Sequence, residues 1–565
     1  NTAKVEDMSF MFESCFELEC LDLSNFNTIN VSDLCYMFSK CIKLKDIKGI
    51  NYFNTNSAIN MEGLFFSCSK LEYLDLSNFD TSNVINMQEM FAGCKKLKKI
   101  KGLNYFITTE AENMYSMFES CSELEYLDLS NFDTSYVTNM QGMFRDCAKL
   151  REIIGLKNFN TTEVENMSRM FFNCSELEYL DLSNFDTSNV IDMEAMFSTC
   201  YKLKEIKGLN NFITNEVTNM WGIFSLCYQL EYLDLSNFDT SNVNDMSCMF
   251  AECKKLKKIK GLNNFNTTNV EEMTSMFESC SELEYLDLSN FDTSNVTNIK
   301  NLFSGCKKLK EIKGLNNFNT EKIKNMMGLF QDCSELEILD LSNFDTSNVL
   351  DMSVMFSKCK KLLDIIGLYK FNTTKVEKMA GMFQYCSELE YLDLSNFNTS
   401  NVTDMEFMFN ECVKLEKIKG LNKFDTHNVK SMKGMFQLNK RLTEIDLSNF
   451  NTSNVTDMNR LFSFCFKLKE IDGIYNFNTS RVENMAGMFQ FCKALEIIDL
   501  SNFNTINVRN MSFMFNKCDN IKYLNLNNFI TMNCETNYML SFENKHECLF
   551  LTNNENLLKL YSISP

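Results

Sequence analysis

Read as a succession of apolar and polar positions, the chain says the same thing many times. In "SELEYLDLSNFDTSNV" (281–296) Leu283, Leu286 and Leu288 fall at the L-x-x-L-x-L spacing of a leucine-rich-repeat strand. Tyr285 and Asp287 alternate with them and belong on the opposite, outward face. The following "NFDTSNV", with Phe291, Thr293 and Val296, reads as a second short extended segment or turn. Upstream, Met273, Met276, Phe277, Cys280 and Leu283 recur at i, i+3, i+4, i+7 and i+10, which predicts one face of a short helix. Asn or Asp usually precedes the first Met (Asn298, Asp351, Asp404), where its side chain would cap that helix. A one-faced strand and a one-faced helix cannot hide their apolar sides alone, so the units must stack on one another.

The cysteine of M-x-x-M-F-x-x-C fixes the register. It falls at Cys15, Cys41, Cys68, Cys94, Cys121, Cys147 and onward to Cys518, with spacings that alternate 26 and 27, so the true period is a 53-residue pair. One unit carries Asn439 in place of the thiol. Such self-similarity predicts a quasi-one-dimensional array. The expected fold is an α/β solenoid of about 20 leucine-rich-repeat-like turns with a parallel β-sheet and short helices, roughly 95 Å long at ~4.8 Å per turn. Phe26 to Phe529, in "NF", and the Thr two residues later, Thr28 to Thr531, recur in every turn. The first predicts an aromatic spine. The second predicts a buried hydroxyl bonded to the backbone of a neighbouring turn. The repeat runs through residue 532. Residues 533–565 lose the Met-Phe-Cys pattern but keep Phe542, Leu549, Phe550, Leu551 and Leu557, and are expected to cap the open end. The chain opens at "VEDMSFMFESC", already inside a repeat, without a signal peptide or an N-terminal cap. That start points to a leader, an anchor or a covering partner outside this sequence.

The pair has two dialects, an acidic "SELEYLDLS" and a basic "KKLKEIKGLN". The residue after the first Leu reads Glu19, Lys45, Glu72, Lys98, Glu125, Arg151, Glu178, Lys204, and the row at Asp22, Lys48, Asp75, Lys101 does likewise. Stacked in parallel, this alternation is expected to set each carboxylate between two cations. Each exposed pair contributes only about 0.2–1 kcal/mol, but a slip by one turn would place like charges opposite one another along whole rows. The basic turn has one extra residue beside a Gly (Gly102, Gly208, Gly314), which predicts a bulge or a left-handed turn. The alternation fades toward the C-terminus at Leu363, Glu416, Thr443 and Asp472.

With its repeat written as L-x-x-L-D-L-S-N-F-D-T-S-N-V-x-x-M-x-x-M-F-x-x-C, the chain resembles the BspA-type leucine-rich-repeat surface proteins over roughly residues 5–532. These include the large mycoplasma group whose members carry the "FDTSNVTNMxxMF" block. The resemblance implies a right-handed solenoid displayed on a cell surface or extracellularly and engaged in adhesion or host contact. The implied partner is a protein or a host surface component.

Composition narrows the functions further. A net charge of −20 disfavours nucleic acid. No run of about 18 apolar residues is present to span a bilayer. The sequence has two histidines, His427 and His546, in unrelated contexts, and no nucleophile or phosphate-loop motif, so no enzyme and no cofactor is expected. A file of cysteines on one row neither converges on a metal nor points pairwise for disulfides, and is read as core. Cys534 and Cys548 would be free to pair if the protein is secreted. Sequons such as Asn295-Val-Thr297 and Asn266-Thr-Thr268 recur down the stack. Sugars there would crowd it, which disfavours passage through a eukaryotic secretory lumen. The candidate partner-binding residues are the outward tyrosines Tyr73, Tyr126, Tyr179, Tyr232, Tyr285 and Tyr391, interleaved with Lys99, Glu152, Glu205, Lys258, Glu311 and Lys417. The leading expectation is a non-enzymatic interaction scaffold or adhesin. Its alternative is a structural, self-assembling component of a coat, virion or extracellular assembly, with a cytoplasmic or virion-associated location. An ice- or mineral-binding array would require the Thr row to face water.

Overall fold

The L-x-x-L-x-L segments form three-residue strands, one per coil, and these pair in parallel with the strand of a neighbouring coil. The computed structural model describes residues 2–563. It divides into two compact units, Asn1–Leu283 and Glu284–Pro565, each a β-solenoid of about 26 residues per coil. Asn1, Ser564 and Pro565, at the ends of the expected solenoid and cap, lie outside the described residues.

The two dialects make two kinds of seam. From an acidic coil to the basic coil after it, the strands form a hydrogen-bonded ladder: Tyr73–Asp75 with Lys99–Lys101, and Tyr285–Asp287 with Glu311–Lys313. From a basic coil to the next acidic coil the ladder stops, so most sheets have two strands. The cause is the extra residue. Gly102 and its equivalents sit in the left-handed region and lead into a one-turn 3-10 helix, such as Leu103–Tyr105, which carries the chain out of strand geometry. Where the last repeat lacks that Gly, at "YLNLNNF" (523–529), the ladder runs on through Ile497–Asp499, Tyr523–Asn525 and Leu549–Leu551.

On the opposite side the expected helix is absent. The Met-Phe-Cys segment is a chain of turns. The N–H groups of Glu89, Phe91 and Gly93 donate to Tyr115, Met117 and Glu119 of the next coil, at 2.7–3.0 Å. Those of Met90, Ala92 and Cys94 donate three residues back, at 2.9–3.3 Å. The pattern requires a left-handed residue at every fourth position, here Glu89 (φ 55°) and Gly93 (φ 77°). Bonds of this type cross both kinds of seam. The Asn or Asp before the first Met does cap, but it caps a turn: Asn86 Oδ1 accepts from the Gln88 N–H at 3.1 Å. Among the described residues, the helices are the 3-10 turns and the C-terminal α-helix Glu555–Ile563.

Three inward files hold the coils together. Phenylalanines of the M-F pair stack face to face in succession, Phe65–Phe91–Phe118–Phe144, with centroids 5.4–5.9 Å apart. The "NF" phenylalanines, expected to form the spine, stack across the basic-to-acidic seam, as in Phe106–Phe132 at 6.3 Å, and across the other seam at Phe503–Phe529, where the Gly is missing. They close the side that the ladder leaves open. The invariant threonines are buried as expected. Thr187 Oγ1 donates to Ile213 O at 2.7 Å and accepts from the Ile213 N–H at 2.8 Å. With Thr293 only 1% exposed, the row is unavailable to ice or mineral. Thr187→Val should strand both main-chain groups of Ile213 and cost about 1–3 kcal/mol. Thr187→Ser should restore most of that loss, as read in urea-unfolding midpoints.

The cysteine file is more than packing. Cys94 Sγ donates to Phe65 O at 3.1 Å and Cys227 Sγ to Phe197 O at 3.0 Å, and burial pushes the thiol of Cys94 up to about 12. This explains Asn439. Its amide donates to Phe409 O at 2.9 Å, the carbonyl a thiol would reach there, and also to Phe436 O at 2.7 Å. The side chain changes and the donor stays. Cys534 and Cys548 are free thiols.

Candidate interaction surface on the strand face

The strand face is built by the period of two. In the acidic coils Leu286, Leu288 and equivalents such as Leu74 and Leu76 turn inward and are buried, and the intervening residues face solvent. Tyr73, Tyr126, Tyr179, Tyr232, Tyr285 and Tyr391 all lie there, each 46–49% exposed. In register beside them stand Lys99, Glu152, Glu205, Lys258, Glu311 and Lys417. Ile338, 58% exposed, occupies the equivalent position in the coil between Tyr285 and Tyr391. The period of two therefore placed the six tyrosines on the outward face, whereas Ile338 was not among the candidates.

The charged rows form as expected on one side only. Glu72 pairs with Lys98 at 2.7 Å, Asp75 with Lys101 at 2.8 Å and Glu284 with Lys310 at 2.7 Å. From Glu19 to Lys313, the ion pairs within these two rows join an acidic coil to the basic coil 26 residues on. The expected placement of each carboxylate between two cations fails because the extra residue opens the other seam. Where the alternation fades, like charges do face each other: Glu444 lies in register with Glu470, and Asp446 with Asp472.

Where a Lys stands across the ladder, the second-row aspartate is doubly engaged; Asp128, Asp340 and Asp446 face Ile154, Ile366 and Asp472 instead. Asp234 accepts from Lys260 Nζ at 2.8 Å and from Ser236 Oγ at 2.5 Å, which lower it from 3.8 to about 2. Asp181, Asp287 and Asp393 are lowered to about 2 by the same pair of donors. A carboxylate depressed in the folded state stabilises it above the ordinary carboxylate range, and that contribution disappears as the folded group protonates. Melting temperature should therefore fall between about pH 4 and pH 2. Asp234→Asn should flatten part of that fall in a pH series of thermal melts.

Shallow clefts of about 310–450 Å³ open where the ladder stops, at the basic-to-acidic seams. No motif in the repeat signals them directly, although the extra residue beside each Gly is their cause. No group of His, Cys, Asp and Glu is arranged to hold a metal among the described residues. Among those residues, too, no helix is long and apolar enough to cross a membrane. His427 Nδ1 lies 2.8 Å from Asp425, on an exposed turn.

Overlapping segments from residues 6–125 to 438–548 match the family described as "Mycoplasma protein of unknown function, DUF285". The chain belongs to this family. No curated protein matches it. Among solved structures, a leucine rich cell surface protein from Faecalibacterium prausnitzii is similar at 15% identity and a TM-score of 0.31, over 56% of this chain and 76% of that one. A leucine-rich repeat protein from Eubacterium ventriosum is similar at 16% and 0.32, over 54% and 80%. One from Bacteroides ovatus is similar at 15% and 0.19, over 87% and 81%. At these identities the likeness does not extend to partners or activity.

Proposed function

We propose that this DUF285 solenoid is a non-enzymatic protein-interaction scaffold, displayed at a cell surface, that holds a protein partner against its strand face. One observation carries the reading: a large aromatic side chain recurs half-exposed on alternate coils, where it adds nothing to the buried files. Tyr supplies contact area at small entropic cost and is enriched in interfaces. Residues 533–565 complete the scaffold as its C-terminal cap. Phe542 and Leu557 are buried there, and Phe550 stacks on Tyr561 at 4.4 Å.

The test is capture of a partner from native surroundings with the full chain and with the triple variant Tyr126→Ala, Tyr179→Ala, Tyr232→Ala. Loss of retention by about tenfold or more at unchanged melting temperature supports the reading. Full retention by the triple variant would overturn it. If copies of the chain instead assemble with one another at the same affinity with and without the tyrosines, the strand face is not the working surface.

A further inference from the structure

Two of the strand-face clefts share a construction that the others lack. In the first, Tyr52, on the 3-10 turn of a basic coil, and Tyr73, on the strand of the next acidic coil, line one opening of about 450 Å³. In the second, of about 310 Å³, Tyr369 and Tyr391 do the same. The rings are 63%, 48%, 53% and 49% exposed in that order, so each cleft carries two unburied aromatic side chains. Beneath them lie the buried side chains of Ile47, Ile50 and Leu74 in one cleft and Ile365, Leu368 and Leu392 in the other, and Asp22, Lys48 and Asp75 add polar groups to the first.

Both clefts also contain an unusual carboxylate. The first strand position of a basic coil is Lys or Glu in most repeats, but it is Asp46 in one of these clefts and Asp364 in the other. Their register neighbours are Cys20 and Ile338, so neither has a cation across the ladder. Both are exposed. Asp, Tyr and Tyr thus recur together over buried aliphatic side chains, in two coil pairs far apart in sequence.

From this constellation we infer that the two clefts receive a proline-rich segment in the polyproline II conformation, with a Lys or Arg of that segment beside Asp46 or Asp364. Such a segment has about three residues per turn, no internal hydrogen bonds and preset backbone angles, so it loses little entropy on docking. Its pyrrolidine rings pack on aromatic faces, and paired aromatics over an apolar floor are the general way such segments are held. A seam without a ladder suits a partner whose prolines have no N–H to offer. The flanking cation is selected by a carboxylate with no competing lysine across the ladder. Tyr105 and Tyr126 repeat the tyrosine pair at another seam, with Lys99 in the Asp position, and that seam provides an internal comparison.

The inference rests on the strand face being the interaction surface, and it is tested with a defined probe. A fluorescently labelled peptide of proline-proline-leucine repeats with one N-terminal arginine is titrated with the full chain. Saturable binding is expected, weakened about tenfold or more when the prolines become alanine or when Tyr52→Ala and Tyr369→Ala are combined. Asp46→Asn with Asp364→Asn should remove the preference for arginine over glutamate at the flank and leave proline dependence intact. The substituted side chains are exposed, so unchanged thermal melts verify folding. Equal binding of the alanine peptide, or no saturable binding of the proline peptide, would overturn the inference. Should the proline peptide fail while the Tyr126, Tyr179 and Tyr232 variant still loses its captured partner, the strand-face reading stands and the proline inference alone falls.

Discussion

Gly208→Ala is expected to destabilise its unit by on the order of 3 kcal/mol, far more than a single methyl on an exposed turn would suggest. Two costs add. Gly208 has φ +88°, where an L-residue is strained by about 1–2 kcal/mol. A Cβ there would also lie 2.4 Å from Ser183 Cα and 2.5 Å from Ser183 N, both main-chain atoms of the preceding acidic coil. No rotamer relieves that clash. The two coils would have to part, yet they are held by the Leu182 N–H donating to Lys207 O at 2.9 Å and by the Lys207–Asp181 ion pair at 2.8 Å. Gly222 is the control. Its φ is +58°, but the nearest foreign atom to its Cβ is 3.6 Å away, and other coils place Ala195 or Ser116 at the same position with φ 50°. Gly222→Ala should cost about 1–2 kcal/mol at most. Urea-unfolding midpoints compare the two variants directly, and equal losses would show that the close approach of the coils is not what fixes the glycine.

That contrast also marks how far the sequence could be read. The extra residue beside Gly208 was legible as a left-handed turn, and the period of two placed every tyrosine of the row. The consequence of the extra residue was not legible. It interrupts the ladder at alternate seams, and so gives the carboxylates cations on one side only and opens the clefts. An insertion shows in the letters, but the seam at which it acts depends on which neighbour each strand pairs with. The helix expected from Met273, Met276, Phe277 and Cys280 was misread for a different reason. Apolar positions at i, i+3, i+4 and i+7 also fit successive three-residue turns whose remaining N–H groups bond to the next coil. A usable signal was present in the position before the second Met, which is often Gly, as at Gly142, Gly381 and Gly434. A helix has no reason to prefer Gly there; a left-handed turn does. The cysteine file was placed correctly in the core. Its donor role emerges only with coordinates, because it depends on a carbonyl 29 or 30 residues away.

Removing one ring from the continuous phenylalanine file should produce the other large loss. Phe224 is fully buried and stacks on Phe197 at 5.7 Å and on Phe250 at 5.9 Å, so Phe224→Ala deletes two ring–ring contacts and leaves a void between three coils. Burial of this kind is worth about 3–5 kcal/mol. The coils have little freedom to collapse into the void, because their spacing is set by main-chain bonds on both sides of it: Phe197 N–H to Ile223 O at 2.9 Å and Phe224 N–H to Met249 O at 3.0 Å. The neighbouring file behaves differently. Phe238 stacks on Phe212 alone, at 6.3 Å, and Phe238→Ala should cost less by roughly the value of one aromatic pair, about 0.5–1.5 kcal/mol. Because each coil touches mainly its neighbours, the Phe224 defect should also be local. Hydrogen exchange is expected to rise in the Met-Phe-Cys turns around Phe197, Phe224 and Phe250 while coils several repeats away keep their protection. Uniform loss of protection across the unit would show that its coils fold as one indivisible block, and would remove the premise that each seam contributes separately.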